Sequence, residues 1–138
     1  MVRTVRGALL ALAFLSACAP TPTRMPANVS IGSGMPASPE SAAADAPPRI
    51  LAARFNTLDV VHPAVWSGTI VTTSNVASVE LRTNQFSLNV PRPTFGVFSF
   101  SVNVYDLPAE FLRRYSLRII ARNTAGVAVE EDAPFSIR

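Results

Sequence analysis

The chain has 138 residues, 49% of them hydrophobic, and its 12 basic residues stand against 9 acidic ones for a formal net charge of +3. That length holds one domain once a leader is set aside, and scattered arginines with no basic patch or stripe give no case for nucleic acid. A single cysteine excludes an internal disulfide, and with one histidine there is no zinc ligand set.

Arg3 and Arg6 open the chain and Gly7 to Leu15 is apolar. A charged start, a short apolar run and small residues at a cut describe an export signal over residues 1–17. The run is far shorter than the roughly 20 residues that cross a bilayer. The small-residue site ends on Cys18, and Leu15-Ser16-Ala17-Cys18 resembles the lipobox of bacterial lipoproteins. The resemblance implies a diacylglyceryl thioether on Cys18, cleavage before it, and a fatty acyl group such as palmitate on the new amino terminus. The alternative is an ordinary signal peptide that happens to contain a cysteine. Each buried CH₂ contributes about 0.8 kcal/mol, and two or more chains hold a protein stably on a membrane. Ala19 follows the cysteine. In lipoproteins of double-membrane bacteria an Asp there favours inner-membrane retention, so the resemblance leans from the cell membrane toward the outer membrane. The domain would then lie in the periplasm or outside the cell. Without the leader, ten arginines face nine carboxylates, a net +1.

Residues 18–49 read as the lipidated cysteine and a disordered Pro/Ala/Ser-rich linker. Ala19 to Arg49 holds seven Pro and seven Ala, with no apolar periodicity. Pro at that density removes backbone donors that a helix or strand needs. As a random coil the segment would span about 30 Å, and stretched as polyproline II about 95 Å. Asn28-Val29-Ser30 matches a glycosylation pattern that has no use in a bacterial lipoprotein.

Residues 50–138 read as a domain of about seven strands. Ile50 to Thr57 is a first strand, continued at Val60-Val61 and interrupted by His62-Pro63. Trp66 to Thr73 is a second, with Gly68 at a bulge or close contact. Along Val76 to Thr83, Ala77, Val79 and Leu81 point one way and Ser78, Glu80 and Arg82 the other. Phe86, Leu88 and Val90 mark a fourth strand, and Phe98 to Val104 a fifth. Leu107 to Arg114 holds one helical turn. Tyr115 to Arg122 alternates again, and Val127 to Ile137 is a last strand broken near Pro134. Short alternating strands with turns every eight to twelve residues predict an all-β fold, an immunoglobulin-like antiparallel sandwich.

Tyr115-Ser116-Leu117-Arg118-Ile119-Ile120-Ala121-Arg122-Asn123-Thr124-Ala125-Gly126 resembles the sixth-strand signature of fibronectin type III and related immunoglobulin-like domains. Leu107-Pro108 is similar to the corner before that strand, and Trp66 to the buried tryptophan of those modules. The resemblance implies a tyrosine corner, with the Tyr115 hydroxyl bonded to a backbone group near Ala109 to Phe111.

Sites with chemistry are sparse, and no cofactor is implied. His62 with Asp59 would need a nucleophilic serine nearby, and no nucleophile elbow occurs; a loop role is the plainer reading, and the chain reads as no enzyme. Glu130-Glu131-Asp132 offers hard oxygen ligands to Ca²⁺, but its carboxylates alternate sides, as on a solvated edge strand guarded by charge. The third, sixth and seventh strands would share a sheet whose outer face carries Ser78, Glu80, Arg82, Arg118, Ile120 and Arg122. Arg118, Ile120 and Arg122 form a row with an apolar centre and two guanidinium groups suited to carboxylates. The competing reading is a solvated face of Glu80–Arg pairs. Two functions follow. One is a membrane-anchored envelope lipoprotein whose domain binds a protein or glycan. The other is a structural or accessory lipoprotein of a larger envelope assembly, with no ligand of its own.

Overall fold

Alternation of apolar and polar residues lays down nine strands in the computed structural model, which describes residues 24–138. They are β1 (Val29–Ile31), β2 (Ile50–Phe55), β3 (Asp59–Val60), β4 (Ala64–Thr72), β5 (Val76–Arg82), β6 (Ser87–Val90), β7 (Val97–Val104), β8 (Arg114–Asn123) and β9 (Ala128–Ile137). A single 3₁₀ turn, Ala109–Phe111, follows Pro108. The strands form a four-stranded sheet in the order β1-β2-β4-β7 and a five-stranded sheet in the order β3-β9-β8-β5-β6. Two pairs, β1 with β2 and β3 with β9, are parallel; the others are antiparallel. The fold is therefore an all-β two-layer sandwich of mixed sheets rather than a purely antiparallel one.

Inward-facing residues of both sheets meet in one core. Ala53, Phe55, Ile70, Phe98, Leu117, Ile119 and Ala133 lose essentially all contact with solvent. Apolar burial at about 25 cal/mol per Å² is the main favourable term. One end is aromatic. Trp66, only 3% exposed, meets Phe100 edge-on and Phe135 at a tilt, each with ring centroids 4.7 Å apart. Its indole N–H is satisfied by the Thr57 carbonyl at 3.1 Å. Gly68 sits between Phe55 and Phe100 in register, and a Cβ there would come within 2.7 and 2.9 Å of their rings. It is thus a close contact and not a bulge. The irregularity in β5 lies instead between Val76 and Ser78. It turns Val76 into the core and leaves Ala77, expected inside, only half-buried.

Two expectations are corrected. The last strand is not broken at Pro134, which pairs with Ser116 inside β9. Ser136, of the same parity, donates its N–H to Leu58 on the far side from β8. The position where Pro134 lacks an N–H therefore faces an open edge, where proline costs no ladder bond.

The larger correction concerns the segment up to Arg49, whose described part is docked rather than free. β1 adds to β2 with Val29 opposite Ala53 and Ile31 opposite Phe55. Val29 is 4% exposed, and Met25 is partly buried against the core. Asn28 donates to the Ile50 carbonyl at 3.0 Å and to the Glu131 carboxylate at 2.8 Å, joining the two sheets. Farther on, Glu40 bridges Thr73, and Asn75 and Asn123 both donate to the Ala46 carbonyl. Proline removes donors, but Ala27 to Met35 contains none, and a proline-rich chain keeps all its carbonyls as acceptors. Side-chain amides of the domain use those carbonyls.

Candidate binding face

The outer face of the five-stranded sheet is built by register. Glu80 on β5 lies opposite Ile120 on β8, which lies opposite Glu130 on β9. One step along, Arg82 lies opposite Arg118, and Arg118 opposite Asp132. One step the other way, Ser78 faces Arg122. The strand parity expected for Glu80, Arg82, Arg118, Ile120 and Arg122 therefore places all five on one face.

Their side chains do not stand free. Arg82 grips Glu80 with two bonds, Nε to Oε1 at 2.8 Å and Nη2 to Oε2 at 2.9 Å. Arg122 reaches diagonally to the same carboxylate at 3.1 Å. Glu80 is only 7% exposed. Burial pushes its carboxyl upward, but the hydrogen bonds from the two guanidinium groups outweigh that and hold it below the usual carboxylate range. Arg118 is shared between Asp132 at 3.3 Å and Glu130 at 3.5 Å.

Ile120 is a correction. It was expected as an exposed apolar centre and is 1% exposed. The register surrounds it with Arg118, Arg122, Glu80 and Glu130, and arginine stems cover apolar surface while their heads stay in water. The row offers charge and hydrogen bonding but no apolar contact.

Beside this network lies a concavity of about 410 Å³ bordered by Arg82, Thr83, Arg114, Ser116, Arg118 and Asp132. Arg114 makes no ion pair among the described residues, so three guanidinium groups border the space with one carboxylate. The sequence reading missed Arg114 because it began the strand at Tyr115. Parity could have found it, since residues 114, 116, 118, 120 and 122 share a face.

The remaining candidates resolve into local structure. Asp59 accepts from Arg138 Nη2 at 2.8 Å and from the Ser136 hydroxyl at 2.7 Å. Those hydrogen bonds, Arg138 first, hold its carboxyl below the usual range. His62 Nδ1 lies 2.9 Å from the Arg138 carbonyl, so His62 and Asp59 each bond Arg138, one at its backbone and the other at its guanidinium. In the acidic run, Glu130 and Asp132 face out toward Arg118 while Glu131 turns inward to Asn28. Among the described residues no group of three His, Cys, Asp or Glu could hold a metal ion. Cys18 and the rest of the expected lipobox lie outside the described residues. Among those described, no helix is long and apolar enough to cross a membrane. The chain matches no protein-family model, and no curated protein is significantly similar to it in sequence.

Proposed function

We propose that this chain is a lipid-anchored lipoprotein of the bacterial envelope, held by Cys18, whose immunoglobulin-like domain binds a carboxylate-bearing envelope partner, protein or glycan. The lipobox resemblance at Leu15 to Cys18 supports the anchor. The strand order and the Tyr115 corner support the immunoglobulin-like reading, since such domains divide their strands between two facing sheets and fix the sixth with a tyrosine. The observation that carries the binding role is Arg114, which makes no ion pair among the described residues and feels Asp59 only through space, beside Arg82 and Arg118 around one concavity. Arginine forks recognise carboxylates with two parallel bonds.

A second reading has its own support. Glu80 pairs both Arg82 and Arg122, and a charge-balanced network is what a structural or accessory lipoprotein needs. Two experiments separate the claims. Cys18→Ser should abolish acyl mass and membrane partitioning; unchanged partitioning with no acyl mass removes the anchor. Titration of the full chain with polygalacturonate and with a poly-glutamate peptide should show salt-sensitive binding that Arg114→Ala weakens several-fold. Binding indifferent to Arg114→Ala, or no binding, favours the structural reading.

A further inference from the structure

A two-sheet sandwich has two open sides, and among the described residues the chain's own backbone closes only one of them. On the side of β2 and β9, β1 adds to the edge of its sheet and Val29 enters the core, with Asn28 tying β2 to β9. On the opposite side the edges are β6 and β7. There a groove of about 250 Å³ runs between the sheets, lined by Trp66, Phe86, Leu88, Val102 and Val104 with Asn103 at its rim, and no charged residue lines it. β6 is only four residues long.

The backbone of β7 is open along the same groove. Ser99 donates its N–H to the Pro91 carbonyl, away from β4, so residues of its parity point their amides outward. Ser101 and Asn103 share that parity, and neither amide has a partner among the described residues. Natural edges are guarded by charge, proline or a bulge. From Phe100 to Val104 this edge has none of the three.

We infer that the seam between β6 and β7 docks an extended, uncharged segment of a partner protein. That segment adds as a strand to the free edge of β7 and drops alternate apolar side chains into the groove. The occupant is argued from the chain itself. β1 does the same on the opposite seam, giving main-chain bonds to an edge and an apolar side chain to the core. The uncharged lining excludes a charged guest, whose desolvation nothing there would offset. Main-chain pairing supplies affinity and the side-chain pockets supply selectivity. The surface is separate from the arginine face, so either can fail alone.

Trp66 is the only tryptophan and lines the groove, so its emission reports occupancy. The probe is a tryptophan-free octapeptide of alternating Val and Thr, titrated against the full chain in detergent. The expected result is a saturable shift in emission with half-saturation below about 1 mM. Asn103→Pro removes one outward N–H and should weaken binding by about tenfold. Should that variant fail to fold, the peptide carries the test. N-methylation of alternate amides should abolish binding in one register and spare it in the other, and Glu in place of Val should abolish it. No saturable shift, binding indifferent to methylation, or self-association of the chain that consumes the β7 edge would each overturn the inference.

Discussion

The hydroxyl of Tyr115 donates to the carbonyl of Phe111 at 2.7 Å, four residues upstream. That bond ties the first core residue of β8 to the 3₁₀ turn and sets where the strand begins. The Gln85 Oε1 lies 3.1 Å from the Tyr115 hydroxyl oxygen, drawing in the turn between β5 and β6. Burial pushes the phenol's pKa up, as expected of a hydroxyl kept as a donor. Tyr115→Phe keeps the ring and should cost about 0.5–1.5 kcal/mol, or more with the Phe111 carbonyl left unpaired. Tyr115→Ala should cost about 3–5 kcal/mol. Tyr105 is the control. It is 50% exposed, and Tyr105→Phe should change stability by less than about 0.5 kcal/mol in denaturant melts. A costlier Tyr105→Phe would refute the corner.

Glu80→Gln should destabilise the domain by about 1–3 kcal/mol, since it leaves two guanidinium groups without their charge partner at a site largely closed to water. The same carboxylate sets a pH dependence. Its folded pKa lies below its unfolded value of about 4.3, so its contribution is full above that value. It is lost as pH falls through the lower, folded pKa. Urea midpoints followed downward from pH 6 should therefore drop below about pH 4, and Glu80→Gln should flatten that drop. An unchanged acid limb would remove Glu80 as the cause.

A chain beginning at Pro48 should be markedly less stable than one beginning at Arg24. It loses the burial of Val29, worth about 1.5–3 kcal/mol, together with the β1 ladder and the Asn28 bonds. At about 4–8 °C per kcal/mol for a domain of this size, the melting temperature should fall by about 10 °C or more. Equal melting temperatures would show that the docked segment contributes nothing.

Gly96→Ala tests the same docking from the other side. Gly96 has φ of +71°, and a Cβ there would lie 2.6 Å from Pro39 and 2.9 Å from the Thr72 carbonyl. In the longer chain the substitution should cost about 1–3 kcal/mol, from backbone strain plus the clash with Pro39. In the chain beginning at Pro48 the Pro39 share vanishes, so the penalty should shrink. A penalty equal in both would mean that Pro39 does not press on Gly96.

Strand positions and faces were legible because the side-chain period of two repeats over many residues. Phe98 and Phe100 against Ser99 and Ser101, or Leu117 and Ile119 against Ser116 and Arg118, admit one reading. What was not legible depended on partners distant in sequence. Nothing local marks Val29 as a core residue, because its burial is decided by the edge of β2 and by Glu131, 103 positions from Asn28. The outward parity of Ile120 was correct, yet parity is silent about the charged neighbours that cover it. The irregularity after Val76 leaves no trace in residue types, and Pro134 was misjudged because its open side was unknown.

The docking of Val29 also changes what a tether can do. With an anchor at Cys18, the first fully buried residue among those described, Val29, lies 11 positions away instead of more than 30. Chain geometry then limits the distance from anchor to domain to about 40 Å, whatever shape the intervening residues take. The membrane area patrolled scales as the square of that distance, so it falls to about one-eighth of what a tether running free to Ile50 would sweep at the same extension. A partner would have to come within that radius, and encounters would be confined to molecules near the same membrane.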